Sequence, residues 1–283
     1  MEKIALVTDS SCDLSNELVI DKDINIVPLR ICYSHGDYKD GVDITSQEIY
    51  DNFSKEIPST SMPSPGDFLA TIEKIKEKGY THCIVVAISN GLSGTYSMMK
   101  SLSDEIEGIN IHVLDSKLLS NGLGMVTLEA ARLIKLGDSF DTIINKLDSF
   151  KEKTKIFFTV ETLEYLQKGG RIGRVAATLG TVLNLKPIIS IAEDGKYYTH
   201  AKARGKKNAL DKMIEPLLKF LETNKANVCI LDGMAENDVK YLYDKVKDNK
   251  NVNSLVVTQI TPSLVVHTGP GSIGICYSPS VSE

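Results

Sequence analysis

Segments rich in hydroxyl groups are the most informative chemical feature of this chain. The stretch Thr60-Ser61-Met62-Pro63-Ser64-Pro65 precedes a predicted helix, and Ser93-Gly94-Thr95 opens another. A helix N-terminus offers free amides and the positive end of a dipole, so it suits an anion. Hydroxyl donors there would hold a carboxylate without a buried cation, which would need its own compensation. Taken singly, each serine is more often a simple helix cap.

A histidine near the C-terminus and two basic clusters are the other candidates. His267 precedes the loop Thr268-Gly269-Pro270-Gly271, where it can donate a hydrogen bond, transfer a proton, or be structural at a strand end. Arg171 and Arg174 lie three residues apart, on one face if that segment is helical. Arg204 begins a second cluster with Lys206 and Lys207. Each cluster is either a solvated basic face or a docking patch for an acidic partner or phosphate.

Several kinds of catalytic site are not encoded here. The chain has no phosphate-binding loop of the Walker type, no H-E-x-x-H and no G-x-S-x-G. The glycines of Gly269–Gly274 match G-x-G-x-x-G, but no helix is predicted after them, which argues against a dinucleotide site. Asp9 and Asp115 follow predicted strands, where short acids often cap the next turn. No metal site is expected.

Composition narrows the class of protein further. The 283 residues carry a net charge of −5, which argues against general nucleic-acid binding. No apolar run reaches the roughly 18 residues of a membrane helix, and the apolar stretch at the N-terminus is too short for a secretion signal. The five cysteines are far apart and form no C-x-x-C pair. Reduced thiols and a cytoplasmic location are therefore expected.

The elements that must position these groups alternate between strand and helix in the first half. Predicted strands at Ile4–Thr8, Ile24–Ile31, His82–Ser89 and Ile111–Asp115 alternate with helices, which indicates a parallel sheet covered on both faces. Ligands of such sheets bind beyond the carboxyl ends of the strands. We therefore expect the segments that follow these ends to form one site: Asp9-Ser10-Ser11, Ser89 through Thr95, and Asp115-Ser116.

The second half predicts a different sheet. The turn Glu193-Asp194-Gly195 between two apolar runs indicates a hairpin. Further strands alternate with helices, so we expect an α/β unit with a mixed sheet. The predicted domains are residues 1–152 and 153–283.

The ordered set of motifs resembles the DegV family. The resemblance covers essentially the whole chain, and its motifs are specific as a set. They are Val7 to Leu14, Thr60 to Pro65, Ser89 to Tyr96, Asp115-Ser116, Gly169 to Gly173, Lys186-Pro187-Ile188 and His267 to Gly271. Met62 departs from the pattern, in which glutamine is common.

This resemblance implies a two-domain α/β fold, with an N-terminal α/β/α layer structure and parallel sheet, that encloses a long-chain fatty acid between its domains. It implies that Ser61 and Ser93 bind the carboxylate. Leu92 and Met99 are candidates for the acyl tunnel, although such side chains more often pack in the core. Further residues near the carboxylate would be Thr60, Gly94, Thr95 and His267.

The resemblance also implies a partner. Family members serve as the fatty-acid-binding subunit of a bacterial fatty acid kinase, whose ATP-binding subunit supplies ATP and magnesium and forms an acyl phosphate for phospholipid metabolism. The chain itself would be a carrier with no cofactor, not an enzyme, with transient membrane contact for loading. Docking and phosphoryl transfer are assigned to four residues: Arg171, Arg174, Arg204 and His267.

Two alternatives stay open. A stand-alone phosphotransferase would use Asp9, Asp115 and the arginine segment. A regulatory module would bind another small anion at the same hydroxyl groups.

Overall fold

The computed structural model describes residues 2–178 and 184–281. In its first half the strands are β1 (Ile4–Asp9), β2 (Ile24–Val27), β3 (Arg30–Tyr33), β4 (Gly36–Lys39), β5 (Ser59–Ser61), β6 (His82–Ala87) and β7 (Asn110–Asp115). The helices of this half are α1 (Asn16–Asp21), α2 (Ser46–Asn52), α3 (Pro65–Glu77), α4 (Thr95–Ser103), α5 (Ser120–Leu136) and α6 (Phe140–Lys153).

The second half holds strands β8 (Lys155–Thr159), β9 (Leu185–Ile191), β10 (Tyr197–Arg204), β11 (Ala226–Gly233), β12 (Val252–Gln259) and β13 (Ser272–Pro279). Its helices are α7 (Glu164–Lys168), α8 (Lys206–Leu221), α9 (Glu236–Val246) and α10 (Pro262–Thr268). Two short 3-10 segments lie at Ser10–Cys12 and Gly173–Thr178.

A parallel sheet organises the first half, as the alternation of strands and helices predicted. Its order is β2-β1-β6-β7, and every neighbouring pair is parallel. The central strands are buried on both faces because helices cover the sheet, so Val7, Ile84 and Val85 are almost fully shielded from solvent. The predicted α/β class is confirmed for this half.

A small antiparallel sheet of order β4-β3-β5 lies beside the parallel one, and the sequence did not predict it. The single predicted strand Ile24–Ile31 is wrong, because the chain leaves the parallel sheet at Pro28 and then begins β3. A proline has no backbone N–H for a sheet ladder. Thr60 and Ser61 belong to β5, which pairs with β3, and not to a loop.

A six-stranded mixed sheet organises the second half, in the order β10-β9-β8-β13-β11-β12. Only β11 and β12 pair in parallel, and the other pairs are antiparallel. The predicted hairpin is confirmed, with Glu193, Asp194 and Gly195 between β9 and β10. The boundary between domains at residues 152 and 153 stays a prediction.

Helix α10 is the element of the second half that matters most for the site. It begins with Pro262 in its first turn and is buried over its whole length. His267 lies in this helix, so the alternative of a structural histidine at a strand end is wrong. The helix packs against α2 and α7, between the two halves of the chain.

The hairpin turn forms a second contact between the halves. The Ser89 hydroxyl donates to the Gly195 carbonyl at 2.7 Å. Gly91 permits this approach, because a Cβ there would lie 2.5 Å from the Gly195 carbonyl carbon. Among the residues described, no helix has both the length and the apolar character needed to cross a membrane.

Candidate functional site

A small cavity lies where the ends of β1 and β6 face β5 and α10. Its volume is about 30 Å³, room for about two water molecules. Both polar and apolar side chains line it. The polar ones are Ser11, Thr60, Ser61, Ser93, Arg171, Ser263, His267 and Thr268.

Ser93 is placed by the turn that leads from β6 into α4. Its hydroxyl lies 2.8 Å from the Thr95 hydroxyl and accepts a hydrogen bond from the Thr95 amide at 3.3 Å. Thr95 is fully buried, and Gly94 is the N-cap of α4. Neither residue lines the cavity, so their place in the geometry is to orient Ser93.

Ser61 lies at the solvent-facing side of this cavity. It is exposed, and its hydroxyl donates to the Met62 carbonyl at 3.2 Å. The Met62 sulfur lies 3.6 Å from where a Cβ on Gly94 would stand. Methionine at position 62 therefore makes an apolar rim beside Gly94, and the polar end of the cavity opens toward solvent next to this rim.

Thr60 and His267 form a hydrogen-bonded pair across the cavity wall. The distance between Thr60 Oγ1 and His267 Nε2 is 2.7 Å. Burial, together with the smaller effect of the nearby Arg171 guanidinium, lowers the pKa of His267 to about 3. The imidazole is therefore neutral at physiological pH.

The surroundings of His267 Nδ1 decide the tautomer. This atom is buried and has no hydrogen-bond partner among the residues described. It faces Gly169, where a Cβ would lie only 2.0 Å away. Because an orphaned buried N–H is rarer than an orphaned acceptor, we assign the proton to Nε2. The imidazole then donates to Thr60, which leaves the Thr60 hydroxyl hydrogen for a ligand.

Replacing His267 with glutamine is expected to preserve ligand binding, because the amide nitrogen can still donate to Thr60. His267→Ala should instead weaken binding by about tenfold, the usual effect of losing one hydrogen bond. Because the imidazole stays neutral, His267→Gln and the unmodified protein should show the same pH profile of affinity from pH 6 to 8. Isothermal titration with oleate checks this. A step near pH 6.5 that disappears in His267→Gln would contradict it.

Arg171 corrects one expectation about this site. The sequence predicted hydroxyl groups without a cation, but the Arg171 guanidinium lines the same cavity. Its Nε donates to the Leu92 carbonyl at 3.3 Å and its Nη1 to the Gly169 carbonyl at 2.7 Å. These two bonds hold the guanidinium in place. Nη2 donates to no acceptor in residues 2–178 and 184–281, so it can meet an anion.

The other two arginines lie elsewhere. Arg174 is exposed and pairs with Asp194 of the hairpin turn. Arg204 is exposed at the end of β10. Neither lines the cavity. The condition for one helical face shared by Arg171 and Arg174 is not met, because Arg171 precedes the 3-10 segment.

A second cavity of about 30 Å³ continues from the first toward the six-stranded sheet. Four residues line both cavities and form the partition between them: Leu119, Tyr197, Leu264 and Thr268. The rest of the second lining is mostly apolar, with Ile156, Phe158, Leu231, Ile260 and Ile273. A cavity with many polar lining residues and a mostly apolar cavity thus share one wall of buried side chains.

Other predicted site residues have structural roles. Met99 is fully buried with Phe68 and Ile72 on the opposite side of the parallel sheet, so its assignment to a tunnel is wrong. Leu92 does line the first cavity.

The two acids at strand ends have structural roles. Asp9 accepts hydrogen bonds from Ser11 and from the Ile88 amide, and Asp115 accepts from the Asn90 and Lys117 amides. The third strand-end segment, Asp115-Ser116, does not join this cavity.

Sequence reasoning missed the residues of the partition. Leu119 precedes α5 and Leu264 lies in α10, two apolar positions with no local signal of a site. Ser11 belonged to a segment that was predicted to follow a strand end. In the described part of the chain no cluster of His, Cys, Asp or Glu could hold a metal ion.

Known proteins resemble this chain over nearly its whole length. A family model described as "Uncharacterised protein, DegV family" matches residues 3–280. A DegV domain-containing protein of Clostridium acetobutylicum is 44% identical over 275 residues, which cover 97% of this chain and 98% of that protein.

Solved structures agree with the family match. A DegV family protein from Thermus thermophilus, described as binding fatty acid, has a TM-score of 0.92 and 32% identity, with 98% of this chain and 100% of that chain covered. A stearic acid-binding protein from Eubacterium ventriosum has a TM-score of 0.84 and 30% identity, with coverages of 99% and 98%. The architecture, with its parallel sheet in the first half and its mixed sheet in the second, therefore matches that of two-domain DegV proteins, and this chain belongs to the DegV family.

Proposed function

We propose that this protein binds one long-chain fatty acid, with the carboxylate in the first cavity and the tail in the second. One observation carries the proposal: the potential donors Thr60, Ser61, Ser93 and Arg171 line one cavity, and a mostly apolar cavity shares a wall with it. The structural neighbours described as fatty-acid-binding proteins support the same ligand class.

The carboxylate would meet a mixed set of donors. Arg171 supplies charge, and the hydroxyl groups of Ser93, Ser61 and Thr60 supply neutral donors. Hydrogen bonds that include an ionised group are about twice as strong as neutral ones. The assignment of Gly94 and Thr95 to the carboxylate site also remains in the proposal, through their contact with Ser93.

The tail would be held by burial alone. Each methylene removed from water contributes about 0.8 kcal/mol, so a long chain needs few specific contacts. Ligand pockets usually enclose about 300–1,000 Å³, far more than either cavity. Occupation therefore requires Leu119, Tyr197 and Leu264 to move apart and join the cavities.

The decisive test is the content of the protein as purified from a bacterial host. Native mass spectrometry should find a mass increment of one fatty acid, and delipidated protein should take up one equivalent of oleate. Protein that is repeatedly recovered without ligand and that fails to bind added oleate would overturn the proposal.

The small size of the first cavity favours one alternative, a regulatory module for a small anion. Acetate or butyrate would then bind as tightly as oleate. The fatty-acid proposal requires affinity to rise steeply with chain length, since each added methylene contributes burial. A titration series from acetate to oleate separates the two functions.

We also propose that the protein is a carrier that presents the carboxylate to the ATP-binding subunit of a fatty acid kinase in the bacterial cytoplasm. Ser61 is exposed at the polar end of the cavity, so the acidic headgroup would lie near the surface. Arg171 and His267 stand at this end, and transient membrane contact would serve loading.

Arg174 and Arg204 are assigned to docking of that subunit because both are exposed and outside the cavity. Arg174→Ala and Arg204→Ala are expected to lower the rate of acyl phosphate formation by about tenfold, since surface charges mainly steer association. Oleate affinity should stay within twofold. A coupled assay with the kinase subunit, ATP and magnesium measures the rate. Unchanged rates in both variants would retire these assignments.

A further inference from the structure

Three buried carboxylates lie where the first half of the chain meets α10. Asp9, Asp13 and Asp40 are each at most 3% exposed. Asp9 bonds only within its own half, to Ser11 and Ile88. Asp13 and Asp40 instead reach across to α10, and the proposed function gives neither of them a role.

Asp13 holds the N-cap of α10. Its Oδ1 accepts a hydrogen bond from the Thr261 amide at 2.8 Å, and its carboxylate also accepts from the Ser120 hydroxyl. The Asp13 backbone carbonyl accepts from the Thr258 hydroxyl at 3.3 Å. Asp13 itself has a φ of 50°, the left-handed conformation, which turns its side chain out of the 3-10 segment.

Asp40 holds the first turn of the same helix. Its Oδ1 accepts from the Ser263 amide at 3.0 Å, and its Oδ2 accepts from the Ser10 hydroxyl at 2.6 Å. The Ser10 oxygen accepts in turn from the Leu29 amide at 2.9 Å. Leu29 lines the first cavity, so this chain of bonds links the helix start to the opposite wall.

These contacts use amides that a helix leaves without internal partners, at the end where its dipole favours negative charge. Burial of a carboxylate is costly unless such donors compensate it. Burial raises the pKa of Asp13 to about 7 and also raises the pKa of Asp40, so both groups resist ionisation in this place. Two acids kept at such a cost indicate a specific role for their bonds to α10.

The cavity residues of α10 show what those bonds control. Leu264 and Thr268 belong to the partition between the cavities, and His267 bonds to Thr60. We propose that Asp13 and Asp40 are positioning residues, which clamp the first turn of α10 and so set the rate at which the acyl ligand exchanges. This inference rests on the proposed fatty-acid site, but the clamp can be measured without any ligand.

Thr261→Pro removes both the amide and the hydroxyl through which Thr261 bonds to Asp13, and it leaves both carboxylates in place. Thr261 has φ −68° and ψ 158°, which proline adopts without strain, and the substitution deletes the amide that Asp13 accepts from. Asp40→Ala removes the second bond by a different route. Ser139→Pro is the matched control, because Ser139 is the N-cap of α6 with φ −68° and ψ 155° and lies outside both cavities.

Two measurements test the clamp. Hydrogen exchange of the amides from Leu264 to Thr268 should accelerate roughly tenfold in Thr261→Pro and Asp40→Ala, the effect expected from the loss of hydrogen bonds worth about 1.5 kcal/mol. Release of preloaded cis-parinaric acid, followed by stopped-flow fluorescence, should accelerate by a similar factor. Ser139→Pro should change neither rate.

Each outcome decides a separate point. Unchanged amide exchange in both clamp variants would overturn the clamp itself. Faster exchange with unchanged release of the probe would overturn its role in positioning the acyl site. If the unmodified protein binds no fatty acid, the proposed function fails, and the amide exchange still decides whether Asp13 and Asp40 hold α10. Thr261→Pro keeps the test valid if Asp40→Ala does not fold.

Discussion

Replacing Arg171 by glutamine is expected to weaken oleate binding by about 10- to 100-fold at neutral pH. The guanidinium lines the polar end of the cavity and is held by the Leu92 and Gly169 carbonyls, so its remaining nitrogen is available to a carboxylate. A hydrogen bond to a charged group contributes about 1.5–3 kcal/mol, which corresponds to that loss. Isothermal titration of delipidated protein measures the effect.

The control for Arg171→Gln is Arg174→Gln. Arg174 lies three residues away but pairs with Asp194 outside the cavity, so its loss should leave oleate affinity unchanged. The oleate affinity of Arg171→Lys should lie between those of the unmodified protein and Arg171→Gln, because lysine keeps the positive charge but lacks the planar guanidinium group. Thermal melting of each variant separates lost binding from lost stability. If Arg171→Gln bound oleate as tightly as the unmodified protein, the carboxylate would not lie at this end.

Leu264→Trp is expected to weaken oleate binding by at least about 100-fold. Leu264 belongs to the partition that an acyl chain must pass, and a tryptophan there fills the opening. A tail that cannot enter the second cavity loses about 0.8 kcal/mol for each methylene left outside. Four stranded methylenes would already account for the loss. Equilibrium titration with oleate and with acids of decreasing length provides the measurement.

Leu264→Met is the matched control for this blocking substitution. Methionine has nearly the volume of leucine and a flexible side chain, so it should keep oleate affinity close to that of the unmodified protein. Butyrate has too short a tail to pass the partition. Its affinity should therefore be nearly the same for the unmodified protein, Leu264→Met and Leu264→Trp. Oleate that bound Leu264→Trp with undiminished affinity would show that the tail takes another path.

The clamp experiment and the two binding predictions test different parts of the proposed fatty-acid site. The substitutions at Arg171 test where the carboxylate binds, and those at Leu264 test whether the tail passes the partition. The substitutions Thr261→Pro and Asp40→Ala test what holds helix α10 in place beside that partition. The three sets of residues come from separate elements, so failure of one prediction leaves the other two informative.

Local features of this molecule were predictable from the sequence by itself. The Ser64 hydroxyl caps α3 by accepting from the Asp67 amide at 3.0 Å, and Asp194-Gly195 turns the predicted hairpin. The alternation of strands and helices predicted the parallel sheet, and the strand-end rule brought Ser11 and Ser93 to one cavity. These signals act between residues that are close in the chain, or follow from the periodicity of one element.

Only the tertiary structure decided how the site is composed. Thr60 and His267 are 207 positions apart, and nothing near either residue indicates their hydrogen bond. The short helix α10 has no alternation of buried and exposed positions to reveal it, because every residue in it is buried. Arg171 joins the cavity and Arg174 leaves it, although both share one basic segment. Side-chain partners across the two halves depend on how whole sheets pack, and that packing is set by long-range contacts that no local pattern contains.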